Sequence, residues 1–430
     1  MAKSVKGGAA APTDWSDEAG AIGRRARAAA RQLASVSTNT KNAALAAMAA
    51  ALRSSADAIL KENAADIEAG KKAGLSAALL DRLALSRDRI EKMACSQEEI
   101  AQLRDPVGEI IEGYTRPNGL QIQRVRVPLG VILAIYESRP NVTSDVAALC
   151  LKSGNAAVLR GGKESLRSNL AVHKTLAEAA AAQGIPADAI QMIDNPDRDL
   201  LAALLREDRN IDVVIPRGGE DLIRAVAEQS TIPVIKHYKG VCHVYVDELA
   251  DLDMAEAICF NAKVQRAATC NAMETMLVHK NVAPRFLPRI CRRLSEAGVE
   301  IRGDDRTRRL WPQATAATED DWYAEYLDLV LAVRVVDDIQ DAIDHIARYG
   351  SSHTDAIVSQ DLKHVQQFVR DVDSSSVMVN TSTRFSDGGE YGLGAEVGIS
   401  TDKLHARGPM GLRDLTTYKW VVYGSGQLRT

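Results

Sequence analysis

From Trp15 to about Leu103, apolar residues recur at intervals of three and four, as in Leu45, Met48, Leu52 and then Ala56, Ile59, Leu60. This spacing keeps one face of a 3.6-residue helix apolar and predicts an Ala-rich helical layer. Ser86 ahead of Ile90, Met93 and Ala94 reads as another helix with its cap. Before it, Met1–Asp14 is small and polar and reads as a loose tail. The pattern then switches to alternation over Glu109–Val127, with Asn118-Gly119 in the middle, the pair that favours a tight hairpin turn. Such a hairpin is either a solvent-exposed ribbon or an oligomerisation arm.

From Gly130 onward short apolar runs alternate with helical periods. Strands are expected at Val131–Tyr136, Ala156–Leu159 and Asp212–Ile215, with helices at Val142–Lys152, up to about Ala182, and through Glu228. A second block begins near Gly240. Its strands are expected at His243–Val246, Thr275–His279, Leu329–Val336, Ala356–Val358 and Ser376–Asn380, and its helices near Met254–Asn261, Ala283–Ala297, Ile339–Tyr349 and Leu362–Val372. Strands separated by helices imply an α/β fold with a parallel sheet, whose ligands sit at the carboxyl ends of the strands. Thr381–Arg407 is a long polar stretch with glycines concentrated from Gly388 to Gly398, and long loops in compact domains are usually functional. Thr416–Tyr423 is the last strand.

Composition narrows the class. Of 430 residues, 46% are hydrophobic but only 4% aromatic, which suits buried aliphatic strands. The net charge of -4, without a long Lys/Arg block, argues against a nucleic-acid partner. The longest apolar run, near Val127–Tyr136, is about half of the roughly 20 residues that cross a membrane, so no membrane is expected. The N-terminus lacks the apolar stretch of a signal peptide. The six cysteines show no CxxC pair, so neither disulfides nor a bound metal is expected and a cytoplasmic setting follows.

Candidate chemistry sits in the turns. Arg160-Gly161-Gly162-Lys163 and Arg217-Gly218-Gly219 each join a strand to a helix with paired glycines beside basic side chains. Amide groups at helix N-termini suit phosphate; each turn taken alone reads more readily as an ordinary tight turn, but two in one sheet, both beside Arg or Lys, point to a nucleotide cofactor. Cys270 lies in the polar run QRAATCN just before a strand, with Lys263 and Arg266 nearby; a reactive thiol needs positive charge and access. Cys95, Cys150, Cys242, Cys259 and Cys291 lie in apolar periodic segments and read as buried thiols. His353 and Thr354 open a polar turn, Arg384, Ser386 and Asp387 lie in the Gly-rich loop, and His405 and Arg407 follow it. Clustered cationic and hydroxyl donors suit a small anionic substrate.

Three segments carry a resemblance: VPLGVILAIYESRPNVTSDVAALCLKSGNAAVLRGGKES, QRAATCNAMETMLVH and STRFSDGGEYGLGAEVGISTDKLHARGPMGL. Together, and over nearly the whole chain from about residue 15, the sequence resembles the γ-glutamyl phosphate reductases of the aldehyde dehydrogenase superfamily. The resemblance implies an aldehyde dehydrogenase-like α/β fold. It implies a Rossmann-like cofactor domain (15–108 and 128–239), a catalytic domain (240–412) and an oligomerisation arm (109–127 and 413–430). It also implies a homo-oligomer, NADP(H) as cofactor, Cys270 as nucleophile, and Arg160, with Lys163 nearby, at the adenosine ribose. Glu325 resembles the carboxylate at the nicotinamide ribose, without the Phe-Gly-Pro that surrounds it in relatives. Asn141 is the nearest candidate for the oxyanion-hole side chain, though a simple count points to Glu137. Arg139, His353, Thr354, Arg384, Ser386 and His405 are the candidate substrate contacts.

Hydrolytic relatives carry a Glu in a Glu-Leu-Gly-Gly segment that activates water. Here that stretch reads IKHYKGVCH, with no carboxylate. An acyl phosphate needs no activated water, because phosphate leaves readily. The implied reaction is therefore reduction of L-glutamyl 5-phosphate to L-glutamate 5-semialdehyde through a Cys270 thioester, a step of proline biosynthesis. A hydrolytic aldehyde dehydrogenase, a CoA-acylating reductase and a binding protein with a retired site are the competing readings.

Overall fold

In the computed structural model, residues 14–429 are described, and the tail expected over Met1–Asp14 lies almost wholly outside them. The chain divides into two compact units. One comprises the residues up to Gln102 with Val127–Pro216 and Ala225–Val234; the other comprises Leu103–Arg126, Arg217–Arg224 and the chain from Ile235 onward.

The first unit opens with the helical layer: Ser16–Leu33, Thr38–Ser54, Ala56–Lys72, Ala77–Leu83 and Arg87–Gln102. Hydroxyl caps start three of these helices, with Ser37 accepting from Thr40 N, Ser76 from Leu79 N and Ser86 from Arg89 N. A four-stranded sheet follows in the order Ile190–Met192, Ala156–Gly161, Val131–Tyr136, Val213–Arg217. Its first three strands run parallel. Val131–Tyr136 is buried along its whole length, which explains its unbroken apolar sequence. The helix Pro140–Lys152 begins on a proline and stops where Gly154 turns to φ +80°.

The second unit is built on seven parallel strands: Thr315–Ala316, Glu300–Gly303, Val330–Val336, Met273–His279, Cys242–Val246, Thr354–Val358 and Ser376–Val379, in that spatial order. The helices Leu252–Val264 and Ala283–Glu296 pack Cys259, Phe286, Leu287 and Ile290 onto Val244, Met276 and Val333 of this sheet. On its other side, the helices Ile339–Tyr349 and Leu362–Asp371 bring Ile343, Ile346 and Phe368 against Tyr245 and Leu277. The hairpin forms as expected, Ile110–Thr115 pairing antiparallel with Gln121–Pro128 around Gly119 at φ +87°. Thr416–Tyr423 completes a three-stranded sheet with it. Arg126 ties the two pieces, pairing with Glu109 at 3.1 Å and donating to Thr416 Oγ1 at 3.1 Å.

Short elements went unforeseen, among them the strands Ile190–Met192, Glu300–Gly303, Thr315–Ala316, Gly398–Ser400 and Gly408–Met410 and the helices Arg198–Leu204, Asp305–Leu310 and Glu319–Trp322. The turn Arg217–Arg224 and the hairpin both cluster with the second unit.

Candidate active site

Cys270 sits on the loop between the helix Leu252–Val264 and the strand Met273–His279, and it is half-buried. Both ends of this loop are clamped. Lys263 Nζ at the end of the helix meets Glu274 Oε2 at the start of the strand at 2.6 Å, with both side chains fully buried. Burial pushes the Lys263 ammonium down and the Glu274 carboxyl up, and their mutual attraction opposes both shifts. Lys263 is therefore not the cation beside the thiol that its sequence position suggests, because its charge is committed to Glu274.

The backbone of Cys270 is held as firmly. Cys242 Sγ donates to the Cys270 carbonyl at 3.1 Å, and a Cβ built on Gly240 would lie 1.9 Å from that same oxygen. Asn271 Nδ2 donates to the Ser386 carbonyl at 3.0 Å, and Arg384 donates to Thr269 Oγ1 at 3.0 Å and to Gln265 Oε1 at 2.8 Å. The Gly-rich segment thus reaches the thiol loop through Arg384 and the Ser386 backbone. Burial lowers the Arg384 guanidinium, Arg266 lowers it further, and the Cys270 thiol opposes both.

Facing the thiol are two imidazoles. One ring nitrogen each of His237 and His353 and the sulfur of Cys270 lie within 4.8 Å of one another. His353 and Thr354 lie where a turn enters the strand Thr354–Val358, as expected, but both are fully buried and not solvated. Burial pushes His353 down to about 4, keeping it neutral. Glu325 accepts from Gly240 N at 2.9 Å; burial pushes its carboxyl up, while that amide holds it down. His405 is exposed and engaged elsewhere, its Nε2 2.9 Å from the Asp414 carbonyl.

The sequence profile described as the aldehyde dehydrogenase family matches residues 8–320. The chain belongs to the aldehyde dehydrogenase family. Among curated relatives in this family, γ-glutamyl phosphate reductase of Geobacter metallireducens is 57% identical over 95% of this chain and 98% of its own length. That of Moorella thermoacetica is 57% identical over 95% and 97%. The crystal structure of γ-glutamyl phosphate reductase from Thermotoga maritima superposes with a TM-score of 0.95 at 45% identity, covering 97% of this chain and 100% of that one. An acetylating aldehyde dehydrogenase from Geobacillus thermoglucosidasius shares the fold, with a TM-score of 0.66 at 17% identity over 97% and 98% of the two chains.

Within this aldehyde dehydrogenase, the segment Ile235–His243 brings His237 toward the thiol. Its Nδ1 is 3.0 Å from the Ile399 carbonyl and its neighbour Lys236 pairs with Asp402 at 3.2 Å. The sequence IKHYKGVCH offers the His237 imidazole where hydrolytic relatives carry a carboxylate, a position not foreseen from sequence although the imidazole itself was the signal. Cys95 also departs from expectation, being half-buried beside Glu91 and Arg53 rather than in the core.

The remaining candidates lie in the first unit and around Arg217. Arg160 is half-buried at the end of its strand, donating to the Pro196 carbonyl at 3.0 Å, with burial lowering its guanidinium. Arg198 and Glu164 act on its charge from close by, and Arg198 was not foreseen. A Cβ on Gly161 would lie 2.0 Å from the buried Asn169 Nδ2, and one on Gly162 would lie 2.1 Å from Oε1 at the end of the Glu164 side chain. Glu164 also accepts from Ser138 N at 2.8 Å. The Glu164 carboxylate is engaged by the Ser138 backbone and hydroxyl, leaving Arg160, Lys163 and Arg198 as the cations of this turn. The Gly218-Gly219 turn gives less to an anion than expected, since Glu220 and Asp221 head its helix and Arg217 donates to the Val397 carbonyl. Arg139 and Asn141 lie exposed at the start of the helix Pro140–Lys152, where Asn141 Nδ2 donates to Asp145 at 3.1 Å.

Proposed function

We propose that this chain reduces L-glutamyl 5-phosphate to L-glutamate 5-semialdehyde with NADPH, releasing phosphate, through a thioester on Cys270. The observation that carries this reading is an accessible thiol on a clamped loop, met from the Ile235–His243 segment by an imidazole instead of a water-activating carboxylate. The curated relatives, γ-glutamyl phosphate reductases, support an acyl phosphate as the substrate.

The chemistry follows from the residues. His237, with Nδ1–H directed at the Ile399 carbonyl, presents Nε2 as an acceptor for the thiol proton. The thiolate adds to the γ-acyl carbon, with the Asn141 amide and the Cys270 backbone N–H as proposed donors to the oxyanion. Phosphate departs with the electron pair of its bond to carbon, leaving the thioester. When bound, NADPH supplies the hydride that reduces the thioester carbonyl. The thiohemiacetal then releases the aldehyde as its C–S bond breaks, and Cys270 regains its thiolate.

Cations and glycines support the cofactor assignment: Arg160 and Lys163, with Gly161 and Gly162, for the phosphorylated ribose, the Gly218-Gly219 turn nearby in role, and Glu325 for the nicotinamide ribose. Arg384, donating to the loop that bears the thiol, is our leading cation for the substrate carboxylate. Arg139, His353, Thr354, Ser386 and His405 complete the proposed substrate set. We further propose a homo-oligomer through the three-stranded arm, whose Ile110, Tyr114, Tyr418, Trp420 and Val422 are exposed. Six free thiols support a cytoplasmic setting. Among the described residues, no single helix is long and apolar enough to cross a membrane.

The test is phosphate dependence in the oxidative direction. With glutamate 5-semialdehyde and NADP+ but no phosphate, the enzyme should give at most one equivalent of NADPH, because the thioester has no acceptor. Adding phosphate should make the reaction catalytic, a contrast of roughly 10²–10⁴-fold, the usual worth of an activating base. Sustained turnover without phosphate, yielding free glutamate, would overturn the mechanism; turnover with CoA alone would favour an acyl-CoA substrate.

A further inference from the structure

The His237 and His353 rings stand edge to face, with centroids 5.5 Å apart and planes inclined at 69°. Both have Nδ1 engaged from behind. The Ile399 carbonyl, 3.0 Å from His237 Nδ1, can only accept, so that nitrogen carries the proton and the lone pair lies on Nε2. His353 Nδ1 is 2.8 Å from the Thr354 hydroxyl. Its Nε2 is buried and has no hydrogen-bond partner, an omission that commonly costs about 1–3 kcal/mol. With the His353 Nδ1 proton directed at the Thr354 hydroxyl, which can accept it, a ring nitrogen of each histidine and one thiol converge, and hydrogen bonds to the far ring nitrogens are what orient and strengthen histidine as a metal ligand.

We propose that Cys270, His237 and His353 form a binding site for a thiophilic divalent cation of the Zn²⁺ class, whose occupancy reversibly blocks the thiol. The donor set is two neutral nitrogens and one sulfur, a combination that selects Zn²⁺, Co²⁺ or Cd²⁺ over Mg²⁺ and Ca²⁺. Bonds of about 2.0–2.1 Å to nitrogen and 2.3 Å to sulfur put tetrahedral ligand atoms about 3.3–3.6 Å apart. Starting from separations within 4.8 Å, the three atoms need close by little more than about 1 Å, within the reach of side-chain rotation. Cys270 and His237 are half-buried, so the fourth position stays open to water or substrate. Binding exchanges the thiol proton, which goes to solvent, for an S–metal bond, with no change of oxidation state. The site stands whichever acyl group the thiol attacks.

The full chain, freed of metal and reductant, should take up one equivalent of Co²⁺ with a thiolate-to-cobalt charge-transfer band, and Zn²⁺ should displace it. Cys270→Ser should remove the band. Thr354→Val, which keeps all three ligands but frees His353 Nδ1, should weaken binding by about 10–100-fold. His237→Ala should weaken it further. In the wild-type chain, one equivalent of Zn²⁺ should slow alkylation of Cys270 by iodoacetamide and a chelator should restore it, a measurement that needs no variant to fold. A band that survives Cys270→Ser, an affinity unaltered by His237→Ala, cobalt bound without a sulfur band, or alkylation indifferent to Zn²⁺ would each overturn the site.

Discussion

Replacing Gly240 by alanine should disable the thiol without removing any group that touches substrate. Gly240 is not among the glycines at positive φ, so its requirement is close approach and not backbone conformation. A Cβ there would lie 1.9 Å from the Cys270 carbonyl oxygen, 2.6 Å from its carbonyl carbon and 2.7 Å from its Cα. These are backbone atoms, which cannot rotate aside. An ordinary contact needs about 3.5 Å, so the Cys270 carbonyl must retreat by about 1.6 Å. That movement also disturbs the hydrogen bond from Cys242 Sγ and the one from Gly240 N to Glu325. Misplacing a reacting group by about 1 Å can lower the rate by about 10²-fold. Gly240→Ala should therefore reduce kcat/KM by at least that factor, about 2.7 kcal/mol of transition-state stabilisation. The assay is NADPH formation from glutamate 5-semialdehyde and phosphate, with circular dichroism and cofactor binding as controls on the fold. An unaltered kcat/KM in a folded Gly240→Ala chain would refute the argument that this glycine sets the position of the nucleophile.

Cys270→Ala should abolish turnover while NADPH still binds, measured by cofactor fluorescence; residual turnover above background would remove the nucleophile assignment. Replacing Arg160 and Lys163 together by Gln should raise KM for NADPH far more than for NADH, and equal effects would mean that they do not read the 2′-phosphate. Stability should carry a signature of Asp247 and His364, whose side chains meet at 2.9 Å. Burial opposes the charge of Asp247, yet hydrogen bonds from Ser359, His364 and Tyr245 hold it below 3.8; burial also opposes the charge of His364, and Asp247 raises it above 6.5. The raised histidine contributes fully below 6.5 and loses its contribution as pH climbs through the folded value. The depressed aspartate contributes above 3.8 and loses it as pH falls through its own. His364→Ala should cost most stability between those two limits, about 1 kcal/mol for a partly exposed pair, and so lower Tm most there and least in alkaline buffer. A Tm difference that grows with pH would contradict the sign.

The long elements were legible because burial imposes pattern. Val131–Tyr136 and Ile339–Tyr349 fall where the apolar runs and the 3.6-residue period put them. Glu300–Gly303 was not legible, because its sequence alternates charge with Ile301 and ends on glycine, and its place comes from pairing with Val330–Val336. Ile190–Met192 is too short to show a period. At the site, Cys270 stood out by its polar neighbours, but its surroundings are assembled across the chain. His237 and His353 reach it from other strands and loops, and Lys263 is drawn away by a partner eleven residues on. Arg198 joins Arg160 only once the strand and helix ends come together. Sequence proximity was a poor guide to which charge meets which.

The buried contact of Lys263 with Glu274 has a consequence for the entropy of catalysis. It joins residues eleven apart and so closes the thiol-bearing segment into a ring. Closing a flexible loop of that length costs about (3/2)RT ln 11, roughly 2 kcal/mol, and here the cost falls on folding and not on each encounter with substrate. An apolar couple of equal volume at these two positions could match or exceed the stability of the ion pair, since desolvating two charges is expensive. It would not supply the directional anchor. The pair would then be retained for the order it imposes on the nucleophile before any substrate arrives.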